Sequence, residues 1–154
     1  MDENINNNNN QQPQYQQQPV IPMKQLKTDR GMVKIILLSL ITFGIYGLIC
    51  YGNMSNDLNV VASRYDGKKT MNYYLLVFII TPITLGIGAI VWMHKFCARL
   101  GDEARRRGIA TDFGAKDYWL WNVIGALIIV GPFIFLHKLL KTMNEVNADY
   151  NARG

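Results

Sequence analysis

Charge is missing from three long stretches of this 154-residue chain: no Asp, Glu, Lys or Arg occurs in residues 35–52, 71–93 or 118–136. Ionisable groups inside apolar segments mark proton relays and ion pathways, so their absence argues against a proton-coupled transporter. Cysteine is scarce as well. Cys50 and Cys97 stand at no paired spacing, which suggests no zinc ribbon, redox pair or disulfide framework. The first 30 residues hold no apolar core of the kind a cleavable leader needs, so the first run is expected to act as its own insertion signal. There is also no Ser-His-Asp set, no paired-carboxylate site and no metal-spaced cluster. The chain is therefore expected not to be an enzyme, with no catalytic residue, no cofactor and no metal.

What is present is a repeat. Ile41-Thr42-Phe43-Gly44-Ile45 returns 42 residues later as Ile83-Thr84-Leu85-Gly86-Ile87, and a looser third copy centres on Gly131-Pro132-Phe133. Such units usually cannot bury their apolar faces alone. Each run is followed by a polar stretch with helical spacing. Leu58, Val61 and Tyr65 share one helix face, as do Met143, Val146 and Tyr150 at the same offsets, and Asn59 corresponds to Asn144. The middle copy keeps Leu100 but places Glu103 and Arg107 on that face, which predicts a more solvated tail. Such tails suit either a membrane interface or packing on a neighbouring helix.

Runs of 18, 23 and 19 residues each satisfy the roughly 17–25 residues needed to cross a bilayer. Tyr73, Tyr74, Trp92, Tyr118, Trp119 and Trp121 gather at run ends, as aromatic side chains do at headgroup level. The expected fold is all-α and integral to a membrane: three Gly/Pro-interrupted hydrophobic helical segments, each followed by a short amphipathic helix. The repeats cover about residues 30–68, 71–109 and 117–150, within a membrane domain over 27–154. Residues 1–26, rich in Asn, Gln and Pro, read as a disordered tail.

Topology has two readings. Counting Lys and Arg for three full spans favours an N-terminus on the cytoplasmic side, giving a multi-pass protein of the cytoplasmic membrane. Every flank is basic, however, and Gly44, Gly47, Pro82, Gly86, Gly88, Gly131 and Pro132 all interrupt the runs as candidate bends. Spans are the preferred reading; hairpins that return to the starting side are the alternative.

The pattern formed by Gly44-Ile45-Tyr46 and Leu58-Asn59, with Gly86-Ile87, Trp92 and Leu100 in the second copy, resembles the bacterial membrane family catalogued as domain of unknown function 4234. The resemblance covers about residues 28–150. It implies a small multi-pass membrane protein and supplies no catalytic residues; some members carry a zinc ribbon that this chain lacks.

Lys95, Arg99, Arg105, Arg106 and Arg107 are the candidate contacts to anionic lipid headgroups, in keeping with a net charge of +5. His94 and His137 occupy equivalent repeat positions and could share a site only if both runs returned to one surface. No nucleic-acid recognition element is present. The expected partners are the lipid bilayer, anionic lipids and further copies of the chain. The expected role is organising, shaping or sensing the membrane or scaffolding partners in it, with a homo-oligomeric channel or transporter as the alternative.

Overall fold

The computed structural model describes residues 22–154. Each charge-free run folds back on itself. In the first, α1 (Met32–Ile41) leads outward, the chain reverses, and α2 (Ile45–Asp66) returns. The second outgoing limb is a short α-helix (Tyr73–Leu75), a π-helical stretch (Leu76–Ile80) and a further turn (Thr81–Ile83), reversing into α3 (Ile87–Arg106). The third consists of Ala115–Asp117, a π-helical stretch (Tyr118–Ile124) and a 3-10 turn (Gly125–Ile128), and it returns as α4 (Gly131–Arg153).

All regular structure among the described residues is helical, as expected. The expected spanning segments are not there: among the described residues no helix is long and apolar enough to cross a membrane. The reason is that each charge-free run is divided between two limbs. The ten residues of α1 measure about 15 Å at about 1.5 Å per residue, half the ~30 Å of a hydrocarbon core. The returning helices have 22, 20 and 23 residues, but each turns polar along its length.

The reversals are made by left-handed backbone. Phe43 and Gly44 have φ of 49° and 89°, and Leu85 and Gly86 repeat this at 50° and 91°. A bulky residue in that region costs about 1–2 kcal/mol, so the turn is specified by more than the glycine. The third reversal falls at Ile129, with φ of 48°, and not at Gly131-Pro132, where the sequence places the break. Gly131 and Pro132 instead form the first turn of α4. Gly131 packs directly on Gly125, where an added Cβ would overlap backbone atoms.

The three returning helices run in the same direction. Their C-terminal ends converge: the Arg106 guanidinium lies 3.4 Å over the Tyr65 ring, Arg107 pairs with Asp149 at 2.8 Å, and Arg153 donates to the Arg107 carbonyl at 3.1 Å. Leu58, Leu100 and Met143 each stand fourteen residues past Gly44, Gly86 or Ile129, and all three are completely buried. With tails together and helices parallel, the three reversals lie at the opposite end.

The extended segments that lead into the hairpins are strapped to these tails in cyclic order. Asn59 of α2 grips Thr70 through both backbone groups, accepting at 2.7 Å and donating at 3.0 Å. Asn144 of α4 grips Arg30 in the same way, at 3.2 and 2.9 Å. The middle tail has Gly101 at the corresponding position, and there the strap comes so close that a Cβ would overlap the Phe113 carbonyl oxygen. Thus α2 holds the second hairpin, α3 the third and α4 the first. Asn147 and Asn151 extend the last clamp to the carbonyls of Lys27 and Leu26. Of the tail expected to be disordered over residues 1–26, residues 1–21 lie outside the described residues, whereas Leu26 is buried against the core.

The middle tail is not the solvated one. The Glu103 side chain is 3% exposed and that of Arg107 is 4% exposed, because they pair with each other and Arg107 also pairs with Asp149 from another repeat. The run-end aromatics also differ from the expected interfacial girdle. Trp92 and Tyr118 are buried, and Tyr51, Tyr73, Trp92 and Phe96 form a continuous ring stack with centroids 5.0–5.6 Å apart. Tyr74 and Trp119 remain exposed.

Candidate functional site

Apolar side chains are left uncovered at one end of the molecule. Apart from Met23, Tyr65 and Met71, every exposed large hydrophobic residue among those described lies in one of the three hairpins. Exposure peaks at the reversals, where Phe43 is 97% exposed, Leu85 93% and Leu127 87%. Within residues 35–52, 71–93 and 118–136 neither Asp, Glu, Lys nor Arg interrupts this surface; Lys34, beside the exposed Val33, stands at its edge.

The first two tips close their reversals with internal hydrogen bonds. Thr42 Oγ1 donates to the Leu38 carbonyl at 2.6 Å and accepts the Tyr46 N–H at 2.9 Å, joining the outgoing limb to the returning helix. Thr84 repeats this with the Ile80 carbonyl at 2.7 Å and the Gly88 N–H at 2.8 Å. Gly44 and Gly86 donate back to the carbonyls of Ser39 and Thr81 at 2.7 and 2.8 Å. This arrangement suits a tip placed where no water is available, because an unpaired amide in hydrocarbon costs several kcal/mol. The repeated threonine was visible in the sequence; its double role needed the reversal to be known.

The candidate bend positions divide by role. Gly44 and Gly86 supply the left-handed turns. Gly47 lies against Ser39 and Gly88 against Ile80 and Thr84, so both allow the two limbs of a hairpin to close. Pro82 sits in the short turn Thr81–Ile83 of the second outgoing limb.

A groove of about 1000 Å³ opens along α3, from Ile80, Thr84 and Ile87 near the second tip, past Lys95, to Lys68, Lys69, Asp102 and Arg106 toward the tails. Of the five candidate headgroup contacts, Lys95, Arg99 and Arg106 line it, and Arg105 and Arg107 do not. Arg99 is occupied by structure. Its guanidinium bonds Asp66, Asn59, Thr70, Ser63 and the Lys68 carbonyl, locking α3 to the strap that follows α2. Partial burial would raise the Asp66 carboxyl, yet Arg99 and the Lys68 N–H outweigh it and hold it below its usual value.

Arg106 bonds both Glu103 oxygens, which raises its pKa further, while Arg105 bonds Asp102 and the Phe113 carbonyl. Arg107 is buried. That leaves Lys95 as the one candidate without an acidic partner among the described residues, joined by Lys68 and Lys69, which sequence reasoning did not select. Their signal was present as a basic pair in the strap that leads into the second run.

Cys50 and Cys97 are buried and unpaired, and burial pushes both thiols up. The His94 Nδ1 accepts from the Trp119 indole at 3.0 Å. Among the described residues no three His, Cys, Asp or Glu side chains group to hold a metal ion.

No curated protein and no solved structure matches the chain. A family model does match, over residues 30–102, which comprise the first two hairpins, α2 and most of α3. The matching model is that of the family described as Domain of unknown function (DUF4234).

Proposed function

We propose that this protein is a non-enzymatic membrane-organising protein that seats its three hairpin tips in one leaflet of the cytoplasmic membrane from the cytoplasmic side, without crossing it. The observation that carries the reading is the gathering of the uncharged, exposed tips at one end of three parallel helices. Hydrocarbon is the occupant that suits them, because the first two tips join their limbs through internal hydrogen bonds and the side chains exposed at the three reversals are apolar. The ~15 Å reach of α1 agrees with the depth of one leaflet. Filling one leaflet and not the other expands one side of the bilayer, which links this seating to shaping or sensing membrane curvature.

The test uses single tryptophans at Phe43, Leu85 and Ile129 on a background in which the native tryptophans are replaced. With liposomes, all three are expected to shift to the blue and to be quenched by lipids brominated on the acyl chains. Tips that stay accessible to aqueous iodide in the presence of lipid would overturn the proposal. Cysteine probes at Asp66, Arg106 and Asn151 should all be shielded from an external reagent in intact cells.

A further inference from the structure

We infer that the groove along α3 holds a single anionic phospholipid drawn from the leaflet that receives the tips, with Lys68, Lys69 and Lys95 around its headgroup and its acyl chains directed toward Ile80 and Ile87. The inference rests on the seating proposed above and adds a bound lipid to it.

Charge complementarity selects the occupant. Five charged side chains besides these lysines line the groove, and each is paired within the fold: Asp66 is bonded to Arg99, Asp102 to Arg105 outside the groove, and Glu103 to Arg106 and to Arg107 outside the groove. Three ammonium groups remain without an acidic partner among the described residues, Lys68 and Lys69 on the strap beside the tails and Lys95 midway along α3. The opposite end is formed by Ile80, Thr84, Ile87 and Gly88, and the Thr84 hydroxyl is already engaged with the Ile80 carbonyl and the Gly88 N–H. The groove is therefore cationic at one end and apolar at the other, in the same direction as the protein's own polarity. A phospholipid in the receiving leaflet has that orientation before it binds, and the groove continues the surface that the leaflet covers. Its volume of about 1000 Å³ lies at the upper end of the range for ligand sites.

Trp92 forms part of the wall, with its indole N–H fixed to the Met71 carbonyl at 3.0 Å, and can report on what fills the groove. In full-length protein carrying Trp119→Phe and Trp121→Phe, Trp92 fluorescence is measured in phosphatidylcholine vesicles with a minor fraction of dibrominated phosphatidylglycerol. A parallel series contains dibrominated phosphatidylcholine at the same fraction. Quenching by the anionic lipid should reach its half-maximum at a mole fraction at least about fivefold lower, the factor expected for one basic side chain acting near a headgroup. Lys68→Gln, Lys69→Gln and Lys95→Gln together should abolish that preference. Val91→Phe, which fills the apolar part and leaves every lysine in place, should abolish it too.

Equal quenching by the two lipids would overturn the inference while leaving the seating intact. A preference that survives Val91→Phe would also overturn it, by reducing the effect to diffuse attraction at the surface. Absence of quenching by either lipid, in protein whose circular dichroism matches wild type, would overturn both the seating and the bound lipid.

Discussion

The two ends of this molecule are made from the same three helices and are finished in opposite ways. At the tail end, α2, α3 and α4 bury Leu58, Leu100 and Met143 against one another, and the charges meet partners from other repeats. At the tip end the hairpins close their backbone locally and leave their side chains without neighbours. The difference teaches that stability and surface chemistry are separable here: the tails hold the repeats together, and the tips face outward.

That separation can be broken most strongly at Asp57. Its carboxylate meets the buried Arg30 guanidinium and accepts from Asn147 at 3.2 Å, joining the first hairpin to α2 and α4. Asp57→Ala leaves Arg30 buried without its counter-ion and should cost about 3–5 kcal/mol in denaturant unfolding. Gly101→Ala comes next, at about 1–3 kcal/mol, because the methyl group forces the Phe113 strap away from α3. Its unfolding midpoint in urea is the readout, and a neutral result would mean that this strap contributes little.

Thr84→Val removes both bonds that join the limbs of the second tip and should cost about 1–2 kcal/mol, with the larger effect on protein bound to lipid. Acid should have a smaller effect, confined to the tails. Asp66 and Asp149 are held low by their arginines against the effect of partial burial. A carboxyl whose folded pKa is depressed contributes its stability above the unfolded value of about 3.9 and loses it as pH falls through the folded one. The urea midpoint should therefore fall between pH 5 and pH 3, by an amount equivalent to about 0.2–1 kcal/mol per pair. Smallest is Phe43→Asp, which should leave unfolding in the absence of lipid within about 0.5 kcal/mol of wild type while weakening liposome flotation. A large loss of stability from this last change would mean that the tips are packed, and the contrast between the two ends would collapse.

The sequence made the repeat, the turn at Gly44 and Gly86, and the shared face of Leu58 and Met143 legible, because each depends on local pattern. It did not separate a span from a hairpin. A charge-free run of about 20 residues has the same composition whether it forms one straight helix or two half-length limbs, and the choice rests on consecutive left-handed residues such as Phe43 and Gly44. The third reversal was misplaced for a related reason: Gly131 and Pro132 look like breakers, yet proline fits the first turn of a helix and Ile129 makes the turn. Charge alone marks the arginines in the sequence. Arg107 and Asp149 are 42 residues apart, and nothing local distinguishes a buried pair at that separation from two solvated charges.

The cyclic order of the straps also imposes an order on assembly. Asn144, Asn147 and Asn151 grip residues more than 110 positions earlier in the chain, so the first hairpin is produced long before its clamp exists. At about 5–20 residues per second of synthesis, its uncovered face waits on the order of ten seconds beside the ribosome. An apolar tip that inserts early into lipid would be sheltered through that delay, and the closing of the ring by α4 would then take place on the membrane surface.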